Sequence, residues 1–248
     1  MLAIIRLLLM GLYFIGTTFV LLLLLLLRPF HINNVYFVAQ TYGAFLKILG
    51  VELEIRGHEY KAEDKPTVYI ANHQNTYEIF TASNGVCRNT VSVGKKNLKW
   101  IPFFGIVYWL SGNILIDRGN RAKAHSTINQ AAEKIKEKGL SIWLFPEGTR
   151  SYGREMLRFK TGAFYTAAKA GVPIVPTVIS NTHELINLNR WNNGKIIIEY
   201  MPEMILESED KAYIREVANQ AHGIMLAKFN ELNKELGVEL DTSKATKA

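Results

Sequence analysis

The sequence predicts an α/β fold: a mostly parallel sheet flanked by helices, with an N-terminal apolar helical segment that docks on a membrane. Three observations lead there. From Val51 onward, short apolar runs of strand length alternate with stretches of helical period. About 20 residues from Leu7 to Leu27 carry no charge. Residues able to do chemistry cluster directly after strand-like runs, where open parallel sheets bind their ligands.

The chain has 248 residues, 48% hydrophobic and 21% charged, which places it among folded proteins. A single cysteine, Cys87, excludes an intrachain disulfide and a Cys-based zinc site. The net charge of +7 calls for an anionic partner. Nucleic acid, anionic lipid and a phosphorylated small molecule all meet that demand. The apolar N-terminus favours the lipid and disfavours nucleic acid.

The chain divides into three regions. Residues 1–50 read as a membrane-associated helical segment. Leu7–Leu27 would make a helix roughly 30 Å long, the thickness of a bilayer core. Pro29 stops it, and the nearly balanced flanking charges Arg6 and Arg28 leave spanning and one-sided attachment both open. A second helix is predicted over 35–49, stopped by Gly50, either docking on the membrane or packing on the core. Residues 51–237 read as the α/β domain. Its strand candidates are 51–55, 67–71, 90–93, 113–117, 140–145, 174–179 and 195–201. Ala124, Ile128, Ala131 and Ile135 recur at helical spacing before Gly139, as do Phe164, Ala167 and Ala168 before Gly171. A last helix is predicted from Lys211 to about Leu236, and residues 238–248 have nothing to bury and read as a disordered tail. Trp100, Phe103, Phe104, Tyr108 and Trp109 suit a membrane interface, although core packing is the leading expectation for most of them.

The chemistry centres on Asn72-His73-Gln74-Asn75-Thr76-Tyr77-Glu78, between a strand and what reads as the start of a helix at Ile79. Five residues on a regular helix is a rotation of about 500°, so His73 and Glu78 would not share a helical face. They meet only if His73 lies in the loop and Glu78 in the first turns after it. The carboxylate then accepts from one imidazole nitrogen and leaves the other as a general base. Alone, His-x4-Glu is weak, since a capping histidine and a first-turn acid explain it equally well. Its company strengthens it. Phe145-Pro146-Glu147-Gly148-Thr149-Arg150-Ser151 forces a tight turn after a strand. Arg118 ends the strand-like run from Gly112, and Lys160 precedes a helix. Two arginines and a lysine at loop tips suit an anion clamp. Gly94-Lys95-Lys96 is not a phosphate loop, because Asn89 and Lys96 stand at its required Gly and Ser/Thr positions.

Asn72-His73-x4-Glu78, Gly112–Arg118, Phe145–Ser151 and Val172-Pro173-Ile174-Val175-Pro176 resemble, in order, the four blocks of the bacterial 1-acylglycerol-3-phosphate acyltransferases. The resemblance covers roughly residues 67 to 180. It implies that His73 removes the proton of the 2-hydroxyl of lysophosphatidic acid as that oxygen attacks acyl-ACP or acyl-CoA, giving phosphatidic acid. The acyl carrier protein or CoA thioester is then a co-substrate, and no cofactor or metal is implied. Arg118 and Arg150, with Lys160 and Lys95, would bind the acceptor phosphate. Glu147 would hold acceptor hydroxyls or the arginines, and Gly148 and Thr149 would line the same site, their backbone steadying an oxyanion. The location implied is the bacterial inner membrane, with the catalytic domain on the cytoplasmic face. One departure stands out: the family's first block normally has Asp where this chain has Glu78. Acylation of glycerol 3-phosphate or another lysolipid, or an impaired lipid-binding protein, are the alternatives.

Overall fold

The central strands are buried on both faces. In the computed structural model, which describes residues 1–62, 64–116 and 121–238, each strand candidate is a strand. They are β1 (Glu52–Arg56), β2 (Val68–Ala71), β3 (Thr90–Lys95), β4 (Ile114–Ile116), β5 (Ser141–Leu144), β6 (Ile174–Ile179) and β7 (Lys195–Tyr200). Their order is β1-β7-β6-β2-β5-β3-β4, parallel throughout except between β6 and β7. β2 lies between β5 and β6 and is buried along its whole length, as expected of a central strand covered on both faces.

Successive side chains of β2 serve opposite layers. Val68 and Ile70 pack with Ile135 of α5 (Arg121–Lys138), Phe164 and Ala167 of α6 (Gly162–Ala170), and Val217 and Phe229 of α7 (Lys211–Glu235). Tyr69 and Ala71 pack on the other face with Trp143, Ile196, Leu46 and Leu49. That face is covered by the N-terminal segment, comprising α1 (Leu2–Leu27), α2 (Asn34–Gly43) and α3 (Phe45–Leu49). The single helix predicted over 35–49 is thus two, divided at Ala44, and it packs on the domain through Leu46 and Leu49. Gly50 ends α3 at φ 67°, the left-handed cap that glycine permits. Gly171 ends α6 in the same way, and α7 starts from Asp210, whose side chain accepts from the Ala212 and Tyr213 N–H groups.

α1 is long and apolar enough to cross a membrane, and residues on one side of it pack on the domain. Thr18, Leu21 and Leu25 are buried, in a cluster with Tyr42, Phe45, Val107 and Leu110, the last two on α4 (Phe104–Leu110). Tyr13 donates to the Thr41 carbonyl and meets the Phe45 ring edge-on. Near its start, Arg6 is 3% exposed and donates to the carbonyls of Asn187, Leu188, Arg190 and Trp191 at 2.5–3.2 Å. The sequence reads Arg6 as a flanking charge; in the structure it is a buried pin. The opposite side of α1, including Leu8, Leu12, Ile15, Phe19 and Leu23, is exposed.

Core packing was the expectation for the aromatic stretch near 100–109, and three of its residues depart from it. Trp100, Phe103 and Trp109 are more than half exposed, with Phe30 edge-on to Trp109. Trp109 lies on α4, which packs on α1 through Val107 and Leu110, and Trp100 and Phe103 lie in the segment leading into it. Tyr108 instead turns inward to the Ser92 hydroxyl at 2.7 Å.

Candidate active site

The carboxyl ends of β2, β5 and β3 lie side by side, so the loops they launch converge. His73 leaves β2 two residues past its end. In place of the predicted α-helix, the chain then makes two short 3₁₀ turns, Thr76–Ile79 and Ala82–Gly85. Asn75 caps the first turn, its Oδ1 accepting from the Tyr77 N–H at 2.8 Å. That tight turn swings Glu78 back toward the loop. One of its carboxylate oxygens contacts His73 Nδ1, and the other accepts from the N–H groups of Gln74 and Asn75.

Every other handle on His73 is also occupied. Its N–H donates to Glu147 Oε1 at 2.6 Å, and its carbonyl accepts from the Ser151 N–H at 2.8 Å. Its ring stacks on Phe145, with centroids 4.2 Å apart and planes 15° apart. Among the described residues, only Nε2 has no protein partner. With Glu78 ionised, Nδ1 carries the ring proton and Nε2 presents a lone pair, the arrangement of a general base.

Sequence reasoning missed the amides that brace this loop. Asn72 exchanges two hydrogen bonds with the backbone of Ile179, at 2.8 and 2.9 Å. Gln74 donates to the Ser180 carbonyl and accepts from the Thr182 N–H, and Asn75 donates to Thr182 Oγ1. All three are buried. Their signal was present, as three amide side chains in four residues, but nothing local tells that their partners lie at and just beyond the end of β6.

The turn after β5 holds the next group. Glu147 is buried, both oxygens taken by backbone donors: His73 N–H and, at 2.9 Å, Leu157 N–H. Burial pushes its carboxyl up to about 7, against the opposing pull of those two N–H groups. The resemblance implied that Glu147 holds acceptor hydroxyls or the arginines; in the structure its oxygens are turned inward to the loops. Gly148 adopts φ 71°, and its N–H donates to the Phe145 carbonyl within the turn. A Cβ there would meet Lys160 Nζ at 2.6 Å, so the lysine arches over the turn. Thr149 is exposed. Arg150 donates to the Tyr152 hydroxyl at 3.0 Å, and Lys95 is exposed at the end of β3. Arg118 lies outside the described residues, as do residues 239–248 of the predicted tail. The structure therefore brings His73, Glu78, Glu147, Gly148, Arg150 and Lys160 to the carboxyl end of the sheet's central strands, with Lys95 on the neighbouring strand.

A family profile described as Acyltransferase matches residues 52–180, just over half the chain. The chain belongs to the acyltransferase family. It is 49% identical over 204 residues to the 1-acyl-sn-glycerol-3-phosphate acyltransferase of Haemophilus influenzae, covering 82% of this chain and 85% of that one. With the enzyme of the same name from Escherichia coli it shares 47% identity over 211 residues, 85% and 86% of the two chains. The crystal structure of the 1-acyl-sn-glycerophosphate acyltransferase from Thermotoga maritima superposes with a TM-score of 0.70 at 26% identity, over 93% of this chain and 98% of that one. The acyltransferase match runs from β1 through β6, the span that contains every loop of the site.

Proposed function

We propose that this acyltransferase moves a fatty acyl group from a thioester of acyl carrier protein or CoA to the 2-hydroxyl of 1-acylglycerol 3-phosphate, giving phosphatidic acid. The acceptor follows from the names of relatives close to half identical. One observation carries the mechanism: each polar atom of His73 except Nε2 is engaged, so the ring is held for a single task.

His73 Nε2 takes the 2-hydroxyl proton while that oxygen attacks the thioester carbonyl. Collapse of the tetrahedral intermediate breaks the C–S bond, and the departing thiolate receives the proton from the imidazolium. Glu78 holds the tautomer and offsets the transient positive charge on the ring. A base so placed is worth roughly 10²- to 10⁴-fold. Arg150 and Lys160, with Lys95 and Arg118, supply the positive charge for the acceptor phosphate. Thr149 and Gly148 line the same turn.

The substrates are lipids, and the packing beside the site supports a reading in which the site faces a membrane surface. Ile79 and Phe80, directly after Glu78, pack into the cluster that α1, α3 and α4 share. With one side of α1 against protein and the other exposed, the helix suits lying in one leaflet, its apolar side and Trp109 in the acyl region. Acyl thioesters are cytosolic, so the domain sits on the cytoplasmic face. The deciding experiment is an acyl-transfer assay on purified protein, crossing 1-acylglycerol 3-phosphate, glycerol 3-phosphate and a phosphate-free lysolipid with both thioester donors. Transfer to the first acceptor alone, abolished in a folded His73→Ala variant, is expected. Undiminished transfer to the phosphate-free lipid would remove the anion clamp, and turnover without His73 would remove the base.

A further inference from the structure

Among the described residues, Glu78 and Glu147 are the buried carboxylates. Acyl transfer through His73 uses Glu78 and gives Glu147 no task. Its surroundings do give it one. The two oxygens of Glu147 serve two separate segments: Oε1 takes the His73 N–H at 2.6 Å, and Oε2 takes the Leu157 N–H at 2.9 Å. His73 belongs to the loop after β2. Leu157 belongs to the segment between β5 and α6, which also carries Arg150 and Lys160. The same two segments are stitched again by Ser151 N–H to the His73 carbonyl and Tyr152 N–H to the Gln74 carbonyl, both at 2.8 Å. Each oxygen keeps a further lone pair, but with 3% of its surface exposed and both oxygens turned to backbone donors, Glu147 faces the loops and not an acceptor hydroxyl.

We propose that Glu147 is a positioning residue: it fixes the backbone of His73 at its N–H, sets the direction of Nε2, and ties the base to the cation-bearing segment without touching the acceptor. The assignment rests on His73 being the general base. It differs from the substrate contact that the family resemblance implied for this residue. The physical demand is steep, because a misplacement of about 1 Å at a reacting group can cost on the order of 10²-fold. Glutamine fills the same space but carries one acceptor oxygen and an NH₂ group. One of the two backbone donors would then face another donor, and the His73 loop loses its fixed register with the 150–160 segment.

The test is steady-state kinetics of the full-length protein with 1-acylglycerol 3-phosphate, comparing Glu147→Gln and Glu147→Asp with wild type. His73→Ala and Arg150→Ala serve as references, and melting temperatures are recorded for all. A positioning role lowers kcat of Glu147→Gln by about 10²-fold while the acceptor KM stays within about twofold. Glu147→Asp keeps the charge but cannot reach both donors, so it loses kcat as well; it decides the matter should the Gln variant not fold. A raised acceptor KM with kcat retained in either folded variant, the pattern expected of Arg150→Ala, overturns the inference. So does unchanged kinetics. Normal turnover of His73→Ala would instead strike the underlying base assignment, whereas an inactive His73→Ala beside a Glu147→Gln that changes only KM fails this inference alone.

Discussion

Glu78, one methylene longer than the aspartate that the resemblance leads one to expect, reaches His73 from a 3₁₀ turn. In a regular helix, position 78 would point away from His73; in the capped turn Thr76–Ile79 it points back and contacts Nδ1. The loop cannot drift to meet a shorter acid, because Asn72, Gln74 and Asn75 fasten it to the residues at and just beyond the end of β6. Glu78→Asp withdraws the carboxylate by about 1–1.5 Å, and turnover at saturating substrate should fall on the order of 10²-fold. Equal or faster turnover in that variant would show that the loop adapts to either acid. At this scale the sequence named both partners and the distance problem between them. It did not show the answer, which lies in a change of helix type that a single capping asparagine and long-range amide contacts impose.

At the scale of elements, the pin at Arg6 is the feature that local reading misjudged. An arginine at the edge of an apolar helix is ordinarily a headgroup anchor. Here the chain returns some 180 residues later and presents four carbonyls to it. Arg6→Leu leaves those carbonyls against an apolar side chain and should cost about 2–3 kcal/mol, read as a lower denaturation midpoint in detergent. Arg6→Lys should recover only part of that, since one ammonium cannot fork among four acceptors. No change in either variant would mean that the leaflet, not the 187–191 loop, holds this end of α1. The exposure of Trp109 has the same kind of cause: α4 packs Val107 and Leu110 on α1 and turns Ile106 and Trp109 outward.

For the molecule as a whole, Glu147 sets a pH dependence whose sign is fixed by its burial. Its carboxyl, 4.5 when unperturbed, is raised to about 7, chiefly by desolvation, with Glu78 adding to the rise and Arg154 opposing it. The folded state therefore holds this proton to higher pH than the unfolded chain, and stability falls as pH rises from about 4.5 to about 7. At about 1.4 kcal/mol per pH unit, the loss attributable to this group is about 3 kcal/mol. Glu147→Gln cannot titrate, so its stability profile across the window should be flatter than that of wild type. Parallel profiles from chemical denaturation at several pH values would contradict that.

Taken by itself, the sequence determined the seven strands, the helices from α5 to α7, the apolar N-terminal helix and the pairing of His73 with an acid five residues on. These are local matters: period, run length and the stop signals Gly50, Gly139 and Gly171 act within a few residues of where they are read. Tertiary structure alone decided the sheet order, the break at Ala44, the burial of Arg6 and the inward turn of Glu147. Each depends on partners brought from elsewhere in the chain, and the hydrogen bond that Glu147 accepts from the His73 N–H exists only once β2 and β5 lie side by side.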